Sequence, residues 1–185
     1  ALMAIREIVY ERKEMSLAEL GKAMHEDWKG HETLQRRMRR SKRKWGANDP
    51  DANRLANAVT EILSDAVAGK PNSRGGRYGL SGHCARQFIV QGRLTGATPD
   101  GRNAGDEMSK NVSPAPGADT EGATALVESL LSVDPLYYPG DYPLDVALHP
   151  SSVAGEKGLG VMRALVETFH AGNGQQMQFN VFDAE

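Results

Sequence analysis

The sequence has one cysteine, Cys84, in 185 residues. That excludes an internal disulfide and any zinc cage built on thiolates, and it fits a reducing compartment. No apolar run reaches the roughly 18 residues a transmembrane helix requires. The opening stretch, ALMAIREIVYERK, carries charges inside its apolar pattern and does not read as a secretion signal. Phosphate-cradling motifs are missing too. Asn72 to Gly79 is glycine-rich but matches neither G-x-x-x-x-G-K-[ST] nor G-x-G-x-x-G.

Charge is present but uneven. Residues 1–45 hold 12 Lys/Arg against 7 Asp/Glu, a surplus of +5, and the remainder holds 10 against 17, or −7. The surplus is concentrated in the run from Arg36 to Lys44. Such a run can neutralise phosphates, so nucleic-acid binding through 36–44 is one reading. The other is a solvated helix end, where cations suit the dipole, or a contact with acidic segments elsewhere. Only Trp45 interleaves an aromatic with this run, and no zinc spacing or nucleic-acid module accompanies it.

Helix signals dominate the first part of the chain. Leu2, Ile5, Ile8 and Val9 recur at helical spacing. Ser16-Leu17-Ala18-Glu19 is a capping box, followed by an apolar face of Leu17, Leu20, Met24 and Trp28 that ends near Gly30. Leu34 and Met38 mark another helix from His31 to Ser41. Asp49 with Pro50 opens a helix whose buried stripe is expected to be Leu55, Val59, Ile62, Leu63, Ala66 and Val67, with Gly69 as its stop.

From residue 71 the pattern alternates between strands and helices. Tyr78–Cys84 reads as a strand entered through glycines, so His83 and Cys84 would face opposite sides and form no joint metal site. Residues 123–133 and 157–170 read as helices, the second with Leu159, Met162, Leu165, Val166 and Phe169 inside. Leu144–His149 and Gln175–Phe182 read as strands with one polar face each: Asp145, Ala147 and His149 on the first, Gln176, Gln178 and Asn180 on the second. His149, at a strand end beside Pro150, suits a substrate contact or an acid/base role, and a structural histidine is the alternative. No residue spacing calls for a metal.

Between these regions lies Thr95–Gly122, irregular throughout, with Gly96, Gly101, Gly105, Gly117 and Gly122 and with Pro99, Pro114 and Pro116. Pro99-Asp100-Gly101 is a tight turn, because proline presets φ and glycine tolerates φ > 0. A segment this long without period is either an ordered surface loop, functional or not, or disordered.

The residues T-G-A-T-P-D-G-R, then S-P-x-x-G-A-D-x-x-G, then an apolar helix, resemble the glycyl radical enzymes of the pyruvate formate-lyase superfamily. So does the tail Gln175 to Glu185, which is similar to the family's Q-F-N-V-x-D-A-E segment. Val9-Tyr10-Glu11-Arg12-Lys13 and Trp45-Gly46-Ala47-Asn48-Asp49 complete the likeness in the family's order. The resemblance implies an α/β fold, here a partial segment of a ten-stranded α/β barrel. Residues 1–70 would be its helical part and 71–185 a barrel segment carrying the 95–122 loop. Three strands cannot close a barrel, so the chain by itself is expected to be marginally stable or to aggregate.

The family's chemistry uses a radical glycine in an R-V-x-G-type motif and a thiyl cysteine, usually in C-x-E. Neither motif occurs here, and Cys84 in Gly82-His83-Cys84-Ala85-Arg86 does not match. The resemblance thus implies an internal fragment with its catalytic residues elsewhere, with His149, Gln178 and Asn180 as substrate contacts on the strands' polar faces. For the parent it implies a cytoplasmic, oxygen-sensitive enzyme, often a homodimer. An iron–sulfur activase that uses S-adenosylmethionine would install the radical. Outcomes range from formate release to dehydration of diols, C–N or C–S cleavage and decarboxylation. The SPAPGADTEG and HPSSV segments look less like pyruvate formate-lyase itself than like its relatives. Two other readings stay open at this point: a spare part that docks on a damaged enzyme, and a nucleic-acid-binding protein.

Overall fold

A computed structural model describes residues 1–183. Ala184 and Glu185, the end of the Q-F-N-V-x-D-A-E segment, lie outside the described residues.

The chain begins as helix α1 (Leu2–Ile5), which widens into a π-helical stretch over Arg6–Glu11. Helix α2 (Leu17–His25) starts at the capping box. The Glu19 amide donates to the Ser16 hydroxyl (3.2 Å) and the Glu19 carboxylate accepts from the Ser16 amide (2.7 Å). The expected apolar face continues past the helix by a different route. Asp27 and Trp28 take left-handed backbone conformations (φ 51° and 66°), and that turn buries the indole completely. Helix α3 (Glu32–Arg40) follows, with Met38 on its buried side. Ile8, Leu20, Ala23, Trp28 and Met38 close one hydrophobic cluster.

Helix α4 (Pro50–Val67) is capped as expected, the Ala52 amide donating to Asp49 at 2.8 Å. Its burial departs from the sequence expectation: Leu55, Val59 and Val67 are half-buried, and Ile62, Leu63 and Ala66 are exposed. The buried positions are Ala52, Asn53, Thr60 and Ser64, while Ile62 is 67% exposed and Leu63 49%. Leu55, Val59 and Leu63 line one side of an open cleft of about 590 Å³. The apolar stripe exists, but no segment among the described residues covers it. Leu159 of the later long helix departs in the same way, at 63% exposed.

The expected strand over Tyr78–Cys84 does not form. Only an isolated bridge joins Pro71 to Arg77, and the segment is held instead by backbone bonds from Gly82 to the Asp141 carbonyl (2.8 Å) and from Gly140 to the Leu80 carbonyl (3.1 Å). Gly82 is fitted to a tight place, since a Cβ there would sit 2.4 Å from Val112. A glycine-rich segment loses much entropy in a strand and packs little in return. Helix α5 (Gln87–Leu94) comes next, without a side-chain cap, and has no counterpart in the sequence reading.

Helix α6 (Gly122–Leu131) leads through a 3-10 turn (Pro135–Tyr137) to strand β1 (Leu144–Leu148). A second 3-10 turn (Pro150–Ser152) precedes helix α7 (Gly155–Ala171), which crosses back to strand β2 (Met177–Val181). The strands pair in parallel, Leu144 opposite Met177 and Leu148 opposite Val181. Leu126, Val127 and Leu130 of α6, Leu165 and Phe169 of α7, and Leu144 and Val146 of β1 form the second cluster. The sheet has two strands among the described residues, not the three expected, and is open on both edges. The fold is α/β, with a helical N-terminal part.

The Gly/Pro loop is irregular but tied down. Arg102, buried, donates to the carbonyls of Asp106 (2.6 Å), Thr95 (3.2 Å) and Gly96 (2.5 Å), closing the loop on itself. Trp28 donates its indole N–H to the Arg102 carbonyl at 3.3 Å. Gly101 (φ 93°) abuts α3 so closely that a Cβ would lie 2.6 Å from the Gln35 carbonyl oxygen. Its place therefore requires glycine twice over.

Candidate functional site

The polar side of the β1–β2 pair carries the chemistry-bearing side chains. Alternation places Asp145 and Ala147 on one face, and the register sets Gln178 and Asn180 beside them. Asp145 is the hub. Its Oδ1 accepts from Lys110 Nζ (2.6 Å) and Asn180 Nδ2 (3.4 Å), and its Oδ2 from Asn111 Nδ2 (2.7 Å). The Asp145 amide donates to the Ser113 hydroxyl at 2.9 Å. The Asp145 side chain is only 10% exposed, so its charge is offset by a paired cation and amide donors rather than by water.

Asn111 extends this network. It sits in the left-handed region (φ 52°), which asparagine tolerates. Its Oδ1 accepts from the Cys84 amide at 2.7 Å while its Nδ2 holds Asp145. One side chain thus ties the Gly79–Cys84 stretch, the Gly/Pro loop and β1 together.

Gln178 and Asn180, two of the three residues the sequence singles out, are joined directly. Gln178 Nε2 donates to Asn180 Oδ1 at 3.2 Å. His149 is separate. Its Nε2 lies 2.9 Å from Asp183 Oδ1, and its Nδ1 accepts from the Ser151 amide (3.2 Å) as the cap of the second 3-10 turn. A carboxylate can only accept, so Nε2–H is the donor to Asp183, and both ring nitrogens are engaged. At 54% exposed, His149 remains open to solvent.

Sequence reasoning did not single out Asp145, Lys110 or Asn111. The alternation placed Asp145 on the correct face, but Lys110 and Asn111 sit in a stretch with no period, and only the folded loop brings them to β1. His83 and Cys84 form no common site. His83 Nδ1 lies 2.6 Å from Asp141, whose carboxyl is held below its usual range by the Ser81 hydroxyl and then by His83. The Cys84 sulfur accepts from the Phe88 amide at the start of α5. No cluster of metal-ligating side chains occurs among the described residues.

Part of the basic run is paired within the chain. Arg37 pairs with Glu14 (2.7 Å), Arg39 with Asp106 (2.9 Å), Lys42 with Glu121 (2.9 Å) and Arg43 with Glu11 (2.6 Å). Lys44 donates to the Arg39 and Asp100 carbonyls, and burial lowers its pKa. These partners are acidic segments of this chain, while Arg36 and Arg40 pair with no acid among the described residues.

Residues 1–89 match the family model described as pyruvate formate lyase-like, and residues 108–185 match the one described as glycine radical. The chain is 32% identical over 183 residues to trans-4-hydroxy-L-proline dehydratase of Clostridioides difficile, covering 99% of this chain and 23% of that protein. It is 30% identical over 196 residues to isethionate sulfite-lyase of Nitratidesulfovibrio vulgaris, covering 22% of that protein. Its fold superposes on the glycerol-bound B12-independent glycerol dehydratase of Clostridium butyricum with a TM-score of 0.91 at 30% identity, over 98% of this chain and 23% of that one. The chain therefore spans less than a quarter of the length of each of these relatives. With both family models in order and a shared fold across nearly its whole length, the chain belongs to the glycyl radical enzymes of the pyruvate formate-lyase superfamily.

Proposed function

We propose that residues 1–185 are part of the barrel domain of a glycyl radical enzyme that eliminates water or another leaving group from a small polar substrate. The observation that carries this reading is the polar row Asp145–Asn180–Gln178 on an otherwise apolar parallel sheet. Polar side chains on a barrel strand that face inward are suited to holding a substrate. The names of the similar proteins, two dehydratases and a sulfite-lyase, support elimination rather than formate release from pyruvate.

In this reading Gln178 and Asn180 hydrogen-bond the substrate and orient it. His149 is the third contact, and it reaches a ligand only by exchanging its bond to Asp183. A radical glycine in the family supplies hydrogen abstraction by way of a thiyl cysteine. The sequence holds neither the R-V-x-G nor the C-x-E motif, so no step is assigned to a residue of this chain. The partners are an iron–sulfur activase that uses S-adenosylmethionine and a second copy of the whole enzyme. The setting is the cytoplasm.

The test is anaerobic expression of the whole reading frame that contains this chain, together with its activase. An organic radical signal should develop in electron paramagnetic resonance. Loss of water or of a sulfur or nitrogen group should follow with a diol, a hydroxylated amino acid or a hydroxysulfonate. Formate release from pyruvate, with all of those untouched, would replace elimination by acyl transfer.

A further inference from the structure

The geometry points to Asp145 as a positioning residue that sets the hydrogen-bond polarity of the substrate-facing amides. This rests on the elimination-site reading above. The Asp145 side chain is a carboxylate. It only accepts hydrogen bonds, so the Asn180 side chain 3.4 Å away must turn its NH₂ toward Asp145. The Asn180 carbonyl then points along the strand and accepts from Gln178 Nε2 at 3.2 Å. Donors therefore run in one direction, from Gln178 to Asn180 to Asp145. The Gln178 carbonyl is left without a partner among the described residues.

An amide is symmetric enough to bind either way round, and its orientation is normally free to change. Here one buried anion removes that freedom for two amides in series. Lys110 pairs with one carboxylate oxygen at 2.6 Å, and Asn111 occupies the other at 2.7 Å. Neither cation nor anion is left unpaired in this row, so what it offers a ligand is neutral and fixed in direction: the Gln178 carbonyl as acceptor and the second N–H of each amide as donor. Asp145 itself is 10% exposed and acts through Asn180 and Gln178 rather than by contact.

The experiment uses the full-length enzyme with its radical installed, as wild type, Asp145→Asn and Asp145→Leu. Radical content is measured first, by electron paramagnetic resonance, and should match wild type in both variants. Without the anion, the amides lose their fixed direction. KM should then rise at least tenfold in Asp145→Leu, with kcat falling less than KM rises. In Asp145→Asn, which keeps an acceptor for Asn111 but can turn, KM should rise severalfold. An Asn180→Ala, Asp145→Leu double variant should be no worse in KM than Asn180→Ala alone, because Asp145 reaches the row only through Asn180. A wild-type KM with reduced kcat, or additive losses in the double variant, would reduce Asp145 to a structural tie and overturn the proposal. Should Asp145→Leu fail to fold, Asp145→Asn and its double variant decide by the same criteria. Hydrogen exchange at residues 110–113 reads the Asp145 contacts independently of turnover. If wild type turns over no substrate, the elimination reading fails; unchanged exchange in both variants would separately sink the role of Asp145.

Discussion

The helical N-terminal part and the β1–α7–β2 unit solve the burial problem differently. In the first, Ile8, Leu20, Trp28 and Met38 turn toward one another, and Arg37 and Arg43 pair with Glu14 and Glu11 of the same part. In the second, Val146 and Phe169 are sealed, yet both sheet edges are open and Val181 is 46% exposed. Helix α4, between them, buries its small and polar side and leaves Ile62 and Leu63 uncovered. A region rich in caps and short-range pairs can complete itself. A parallel sheet cannot, because its strands need neighbours on both sides and cover on both faces.

The largest effects that probe this contrast come from its two sealed anchors. Trp28→Ala removes a fully buried indole that also donates to the Arg102 carbonyl, and should cost about 3–5 kcal/mol. Phe169→Ala empties the other cluster and should cost about as much. Chemical denaturation of the full-length enzyme measures both. If Trp28→Ala proves nearly neutral, the N-terminal part is not self-sealing.

Next in size is Ile62→Ser on α4. In this chain alone it should change stability by no more than about 0.5 kcal/mol, as exposed positions do, and reduce aggregation. In the full-length enzyme a cost of about 2 kcal/mol or more would show that further protein covers this face. Equal, small effects in both would make the exposed stripe an intrinsic surface. Asp49→Ala should cost about 1 kcal/mol through loss of the cap on Ala52. Thermal melts compared with Asp49→Asn, which keeps a side-chain oxygen for the Ala52 amide, would isolate the cap.

The smallest effect concerns pH. The Asp141 carboxyl is held low by Ser81 and His83, so it binds its proton more weakly folded than unfolded. Its contribution is fully present above the unfolded pKa of about 3.9 and fades as pH falls through the depressed folded value. Asp141→Asn should therefore lower stability slightly near neutrality and flatten the acid limb, so that variant and wild type converge as pH falls through the depressed folded value. Because this pair is exposed, added salt should shrink the difference. A difference that persists at a pH below the folded value, where the carboxyl is protonated, would assign Asp141 a role beyond its charge.

Legibility in the sequence followed the range of the forces involved. Capping at Ser16 and Asp49 was readable because a cap is settled within four residues. Strands β1 and β2 were readable from alternation, and with them the shared face of Gln178 and Asn180. Trp28 was readable as buried but not as a left-handed turn, because its anchor, the Arg102 carbonyl, lies 74 residues away. The strand expected at Tyr78–Cys84 failed because glycines that serve as contact points for Val112 look, in one dimension, like a strand entry. Family membership was carried by motifs, and those survive without a fold.

The sequence alone determined the local grammar: where helices begin, which strand faces are polar, which turns need glycine, and which family the motifs belong to. Each depends on neighbours a few residues apart. Only the tertiary structure decided that Asp145 would gather Lys110, Asn111 and Asn180, that acids of this chain would pair with part of its basic run, and that the stripe on α4 would stay uncovered. Those outcomes depend on which distant segments meet, and a hydrogen bond or a buried contact has no sequence signature until its partner has arrived.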